Sequence, residues 1–318
     1  MSVFTQVSEP QLTTFLQDYP LGALHSFKGI EDGIENTNYF INTDQGAFVL
    51  TLFEQHDANT LPYFLALMAH QATAGVPTAR PVANNHGAFL SSLNNRPAAI
   101  VARLPGGSLD HPQAEHCEQI GAALAQFHQA GQQFNQSRAP DRGLDWAMQT
   151  ADKIRHKLTQ ADAALLDDEL NFQQTQQHPA LPRGAIHADL FRDNALFEHD
   201  RLSGIIDLYY ACNDALVYDL AIAINDWCIK SEGEFDGTRL QALIAGYQQY
   251  RPLTAAEQDS FPAMLRQAAL RFWVSRLEDS LFPRAAEEMT FIKDPTPFKQ
   301  ILLSHRNAGT QRRQWLHT

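Results

Sequence analysis

Two periodicities divide the chain. Leu12, Phe15, Leu16 and Tyr19 recur at helical spacing, and Pro20 closes that first pattern. Apolar residues then alternate with polar ones through residues 24–27, 38–42 and 47–53. The intervening segments hold Gly29 and Gly33, then Thr43-Asp44-Gln45-Gly46, which predicts three strands of an antiparallel sheet joined by tight turns. Residues 61–72 return to helical spacing, and Gly75-Val76-Pro77 breaks them. Residues 87–90 and 97–102 read as a further hairpin with Asn94-Asn95 in its turn, ahead of the linker Pro105-Gly106-Gly107.

From there the 3.6-residue period dominates. Residues 114–132 carry Cys117, Ile120, Leu124, Phe127 and His128 along one side, and His128 reads as a core histidine without a nearby partner. Further helices are expected over 146–164, 165–177, 238–250, 255–279 and 287–306, with a frayed tail at 311–318. Asp219 reads as a first-turn carboxylate of an apolar helix containing Leu220, Ile222, Ala223, Ile224 and Trp227. The expectation is an α+β, two-lobed protein. An N-terminal lobe over residues 1–104 would hold a five-stranded antiparallel sheet with one or two helices. A larger, mainly helical lobe would follow over 105–318, carrying a hairpin near its centre.

Composition adds bounds. The 318 residues are 44% hydrophobic and 19% charged, ordinary for a globular fold. A net charge of −12 argues against a nucleic-acid partner held by phosphate neutralisation, without excluding a local nucleotide site. Cys117, Cys212 and Cys228 lack CxxC spacing and read as free buried thiols. Neither a secretory leader nor a membrane span is visible, so a soluble cytoplasmic enzyme is expected. Oligomeric state is not encoded in these patterns.

The chemistry concentrates in residues 183–207, RGAIHADLFRDNALFEHDRLSGIID with its two apolar runs. The order His187-x-Asp189-x-x-x-x-Asn194, then an apolar strand ending in Asp207, is that of a phosphoryl-transfer site. Asp189 would align the attacking hydroxyl and take its proton, with His187 bracing the loop. Asn194 and Asp207 are hard oxygen ligands of the kind Mg2+ prefers. A hairpin of 195–197 and 203–206, turning at His199-Asp200-Arg201, would return Asp207 to the side of Asn194. Arg192 could face a phosphate or the substrate, or form an ion pair with Asp193 or another acid. His187 and Asp189 could instead ligate a hydrolase metal, or the whole segment could be a polar turn. In the N-terminal region Gly29, Gly33, Asn36 and Asn38 lie on a candidate phosphate loop, whose alternative is a plain bulged hairpin.

At these residues the chain resembles the aminoglycoside phosphotransferase and choline kinase-like branch of the protein-kinase-like fold. The matching pieces are Gly33-Ile34-Glu35-Asn36-Thr37-Asn38-Tyr39-Phe40, Phe48-Val49-Leu50-Thr51-Leu52-Phe53, His187 to Asn194, Ile205-Ile206-Asp207 and Arg271-Phe272-Trp273. Within that branch the wording is similar to the kinase-like homoserine kinases of bacteria. The resemblance implies ATP and Mg2+, with Asp189 as base and Asn194 and Asp207 as metal ligands. It implies conversion of L-homoserine to O-phospho-L-homoserine, a step toward threonine.

One departure stands out against the general kinase pattern. The strand that usually carries a phosphate-binding lysine has Thr51, and the helix over 61–72 has no glutamate to pair with one. Lys28, Arg80, Arg103 or a second magnesium are candidate replacements. An amino-acid or amino-alcohol acceptor also needs partners: Arg271 or Arg276 for a carboxylate, and Asp32, Asp214 or Asp219 for an ammonium. The same residue types serve structural ion pairs. Tyr209, Tyr210 and Trp273 could cage a quaternary amine, so aminoglycosides, amino sugars and choline-like alcohols are alternative acceptors. The Thr51 departure also admits a nucleotide-binding protein without catalysis.

Overall fold

The computed structural model describes residues 4–30, 36–176, 181–230, 233–283 and 292–316. The chain forms two compact units, the first running to Pro105 and the second beginning at Gly106.

In the first unit, α1 (Glu9–Leu16) precedes strands β1 (Leu24–Gly29), β2 (Asn36–Thr43) and β3 (Gly46–Phe53). Helix α2 (Leu61–Thr73) is followed by β4 (Ser91–Leu93) and β5 (Arg96–Ala102). The five strands form one antiparallel sheet in the order β1-β2-β3-β5-β4. Alternation in β2 and β3 puts Tyr39, Ile41, Leu50 and Leu52 on the face that buries Leu12, Phe15 and Leu16 of α1. Gly46, at φ +125°, closes the β2–β3 turn opposite Thr43.

The β4–β5 turn uses Asn94 and Asn95, both left-handed at φ 51° and 61°, as a two-residue hairpin requires. The strand entering it is residues 91–93 rather than 87–90. The Asn84 carboxamide accepts the backbone N–H groups of His86 and Ala88, and this local cap bends residues 84–88 into a turn.

The second unit opens with α3 (Ala114–Gly131), α4 (Leu144–Ile154) and α5 (Gln160–Thr175). The break between α4 and α5 falls at 155–159 rather than at 164. There Thr159 caps α5 by accepting the Asp162 N–H, a polar signal that outranks the continuing apolar periodicity. Two small antiparallel pairs follow, β6 (Arg183–Ile186) with β9 (Cys212–Ala215), and β7 (Ala195–Glu198) with β8 (Arg201–Ile205). Then come α6 (Leu216–Trp227), α7 (Gly237–Tyr250), α8 (Ala255–Leu281) and α9 (Thr296–Ala308).

Helix α9 starts nine residues later than the periodicity suggests, because Pro295 and Pro297 fix its first turn. The expected residues 287–291 lie outside the described residues. The tail is ordered against the core: residues Gly309–Leu316 form a 3-10 helix, Trp315 packs on Phe235 and Leu316 is buried. All three cysteines are free and buried. Among the described residues no helix is long and apolar enough to cross a membrane.

Candidate active site

The loop between β6 and β7 carries His187, Asp189 and Asn194, and the β7–β8 hairpin folds back on it. Ala195 pairs with Ile205, and His199 and Asp200 make the turn with positive φ. The Ile206 N–H then donates to the Asn194 carbonyl at 3.0 Å, which sets Asp207 beside the loop. Asp207 is left-handed at φ 62°, ψ 59°, an uncommon conformation for a non-glycine residue. The hairpin is pinned from outside by Gly106, whose φ of +88° and lack of a side chain matter: a Cβ there would lie 2.0 Å from the Phe197 carbonyl oxygen.

Inside the loop the polar groups are fully employed. The His187 ring donates from Nε2 to the Ile206 carbonyl at 3.0 Å, and its Nδ1 accepts the Asp189 N–H at 3.2 Å. Burial holds this imidazole below its ordinary pKa, so it braces the loop as a neutral ring. The Asn194 side-chain amide donates to both the Asp189 carbonyl (2.8 Å) and the Asp189 carboxylate (3.2 Å). That choice of donor leaves the Asn194 Oδ1 oxygen as the group available to a cation. Burial pushes the Asp189 carboxyl up to about 8; Arg271 opposes that rise, and the Asp207 and Asp193 carboxylates add to it.

The loop is held from below by a buried carboxylate. Asp219, on α6, accepts the backbone N–H groups of His187 at 2.7 Å and of Ala188 at 2.8 Å. These bonds restrain Ala188 at φ 63°, where an alanine is strained. His128 Nε2 donates to the same carboxylate at 3.0 Å, while its Nδ1 meets the Tyr247 hydroxyl at 2.7 Å. Arg251 donates to Tyr247 and pairs with buried Glu257. Burial favours the protonated form of Asp219, yet the bonds from the His128 ring and the His187 backbone N–H outweigh it and lower its pKa. His128 therefore has two partners, contrary to its reading as an unpartnered core histidine. They come from α6 and α7, 91 and 119 positions away along the chain.

The other candidates fall as follows. Arg192 turns to Asp226: its backbone N–H and guanidinium both donate to that carboxylate, at 2.8 and 3.1 Å, and a further nitrogen donates to the Asp110 carbonyl. Neighbouring Asp193 pairs with Lys293 instead, at 3.0 Å. Asp214 pairs with Arg183 at 2.7 Å across the β6–β9 ladder. Arg271 is buried and donates to the Ala188 carbonyl and to the Tyr218 hydroxyl.

In the first unit, Asn38 and Thr51 face each other in register. The buried Thr51 hydroxyl donates to the Asn38 carboxamide at 2.7 Å. Asn36 opens β2 and Gly29 closes β1 opposite Tyr39, while Gly33 and Asp32 lie outside the described residues. Arg103 lays its guanidinium over the Phe40 ring at 3.8 Å. Helix α2 contains no carboxylate.

Asp219 and Asp226 are the supports that local reading undervalued. Each sits on a helix whose other residues are buried and almost all apolar, a placement that itself calls for a buried donor. Among the described residues no cluster of three His, Cys, Asp or Glu could hold a metal. One carboxylate with one amide oxygen suits Mg2+ all the same, since that ion keeps water and phosphate oxygens as its remaining ligands.

Comparison with known proteins gives the chain's family. Residues 26–253 match the phosphotransferase enzyme family. The chain is 50% identical over 302 residues to a homoserine kinase of Methylobacillus flagellatus, covering 95% of this chain and 94% of that protein. It is 44% identical to a homoserine kinase of Neisseria meningitidis, covering 96% and 99% respectively. Among solved structures, an amicoumacin kinase in complex with AMP-PNP and Ca2+ superposes with a TM-score of 0.68 at 14% identity, over 96% of this chain and 94% of the other. A loop that presents a carboxylate and an amide beside a strand-end aspartate, in a chain matched along this much of its length, has one classification: it belongs to the phosphotransferase enzyme family.

Proposed function

We propose that the chain transfers the γ-phosphoryl group of ATP to the side-chain hydroxyl of L-homoserine, giving ADP and O-phospho-L-homoserine. The observation that carries this reading is identity of 42–50% to proteins named homoserine kinase, over at least 94% of their length.

Asp189 orients the acceptor hydroxyl and receives its proton as the oxygen–phosphorus bond forms. A loose transition state asks little covalent work of the protein, so positioning carries much of the rate. That role falls to the bonds from Asn194 to Asp189, from His187 to the Asp189 N–H, and from the His187 and Ala188 amides to Asp219. Asn194 Oδ1 and the Asp207 carboxylate would hold Mg2+, which when bound neutralises phosphate charge. Arg192 acts through Asp226 as a positioning group. Gly29, Gly33, Asn36 and Asn38 supply the phosphate-loop donors, and Thr51 keeps Asn38 in place. Arg103 is the cation offered in place of the missing strand lysine, and the acceptor's ammonium is left to Asp32 or Asp214.

The test is ADP release from Mg-ATP across L-homoserine, an aminoglycoside, ethanolamine and choline. Turnover greatest on homoserine supports the reading; preference for another acceptor replaces it. Thermal stabilisation by Mg-ATP without ADP release from any acceptor would establish nucleotide binding alone.

A further inference from the structure

Helix α8 carries Arg266, Arg271 and Arg276 at successive intervals of five. Arg266 is paired with buried Glu169. Arg271 and Arg276 form no ion pair among the described residues. Arg271 is only 6% exposed, and its hydrogen bonds go to uncharged groups, the Ala188 carbonyl and the Tyr218 hydroxyl. Arg276 is partly buried, lies 4.5 Å over the Phe298 ring, and donates to the Asp294 carbonyl at 3.0 Å.

Of the four carboxylates whose charge reaches Arg276, Asp189 is the loop carboxyl, Asp294 caps the Thr296 N–H, and the other two are held in ion pairs. Asp226 is taken by Arg192, and Asp193 by Lys293. A guanidinium partly or wholly withdrawn from solvent and held in no direct ion pair presents a planar fork of donors shaped for a carboxylate.

Both groups sit at the catalytic loop. Arg271 bonds the residue preceding Asp189. Phe298, beneath Arg276, stacks on Phe191 of the same loop at 5.7 Å and 7° between planes. Both guanidinium groups also interact electrostatically with the Asp189 carboxylate. An amino-acid acceptor brings one carboxylate to this place, which supplies the missing anion.

We infer that Arg271 and Arg276 receive the carboxylate of the acceptor, so that the second unit selects hydroxy-amino acids over amino alcohols of the same length. This rests on the acceptor assignment made under Proposed function and adds the residues that read it.

The test compares L-homoserine with 3-aminopropan-1-ol, which lacks only the carboxylate, in the wild-type chain, Arg276→Gln and Arg271→Lys. Arg276→Gln leaves the loop contact untouched. Arg271→Lys keeps the charge but loses the fork. Each substitution is expected to raise KM for homoserine about 10-fold to 100-fold, the worth of a charge-assisted hydrogen bond. KM for ATP should stay within about 2-fold in both variants, and kcat/KM for aminopropanol within about 2-fold in Arg276→Gln. Arg271→Lys also disturbs the bond to the Ala188 carbonyl, so its reading is a loss on homoserine at least about 10-fold greater than that on aminopropanol.

Equal losses on both acceptors, or a rise confined to ATP, would overturn the assignment. Absence of ADP release from homoserine by the wild-type chain would overturn the acceptor reading instead. Calorimetric titration of L-homoserine then still decides the arginines, since an affinity unchanged in both variants refutes their role.

Discussion

Replacing Asp219 with asparagine removes one charge and turns one acceptor into a donor, at a fully buried site. The carboxylate accepts the His187 and Ala188 amides at 2.7 and 2.8 Å and the His128 ring at 3.0 Å. An asparagine can satisfy one of these through its oxygen, while its amide meets another donor. Each charge-assisted bond contributes about 1.5–3 kcal/mol, and removing one partner of a buried pair costs about 3–5 kcal/mol. The bonds share one acceptor and are not additive, so a loss of about 3–5 kcal/mol is expected. For a unit of this size that lowers Tm by about 6–20 °C.

The loop should pay a second penalty. Ala188 is no longer restrained at φ 63°, and a displacement of about 1 Å at Asp189 costs on the order of 100-fold in kcat. Thermal melting gives the first number; steady-state kinetics at 15 °C, where the variant is folded, gives the second. The Asp219 pKa is lowered in the folded state, so its stabilisation is present above the ordinary carboxylate range and lost as pH falls through that range and below it. The wild-type chain should therefore lose more stability than the variant on acidification from pH 6 to 3. A variant within about 2 °C and 2-fold of wild type would refute the claim that Asp219 sets the loop.

Asp189→Asn should abolish turnover yet raise Tm at pH 8. The folded-state value of about 8 means that ionising Asp189 costs stability as pH rises from about 4 toward 8, so the gain should vanish below pH 4 in melting curves. Thr51→Val strands the Asn38 carboxamide oxygen that the hydroxyl now meets at 2.7 Å. It should cost about 1–2 kcal/mol in denaturant unfolding and raise KM for ATP while sparing KM for homoserine. Asp207→Asn should raise the Mg2+ concentration for half-maximal ADP release by at least about 10-fold, leaving the circular dichroism spectrum unchanged.

What could be read from the chain follows how local each feature is. His187, Asp189 and Asn194 lie within eight residues, and the hairpin that returns Asp207 spans only residues 195–205. The β2–β3 turn is equally local, since Asp44, Gln45 and Gly46 determine it on their own. The supports beneath the loop are not local. Arg192 has Asp193 beside it but bonds Asp226, 34 positions away, because the helix geometry puts that carboxylate under the loop while Asp193 points to Lys293. The α4–α5 break rests on one threonine hydroxyl, which a count of apolar spacing does not weigh. As a chain terminus the tail is expected to fray, yet Trp315 packs on Phe235, far away along the chain, and Leu316 is buried.

The polar path Glu257–Arg251–Tyr247–His128–Asp219 joins residues of α8, the turn after α7, α7 itself, α3 and α6 before it reaches the loop amides. Each of those elements thus holds a share in the position of one strained peptide. Drift in any of them would be felt as lost chemistry long before the fold failed. Such a loop is poorly suited to gradual change. Variation in what is phosphorylated is better accommodated by side chains that approach the loop without supporting it. Relatives with different acceptors should then keep this foundation and differ mainly along surfaces such as the Arg276 edge of α8.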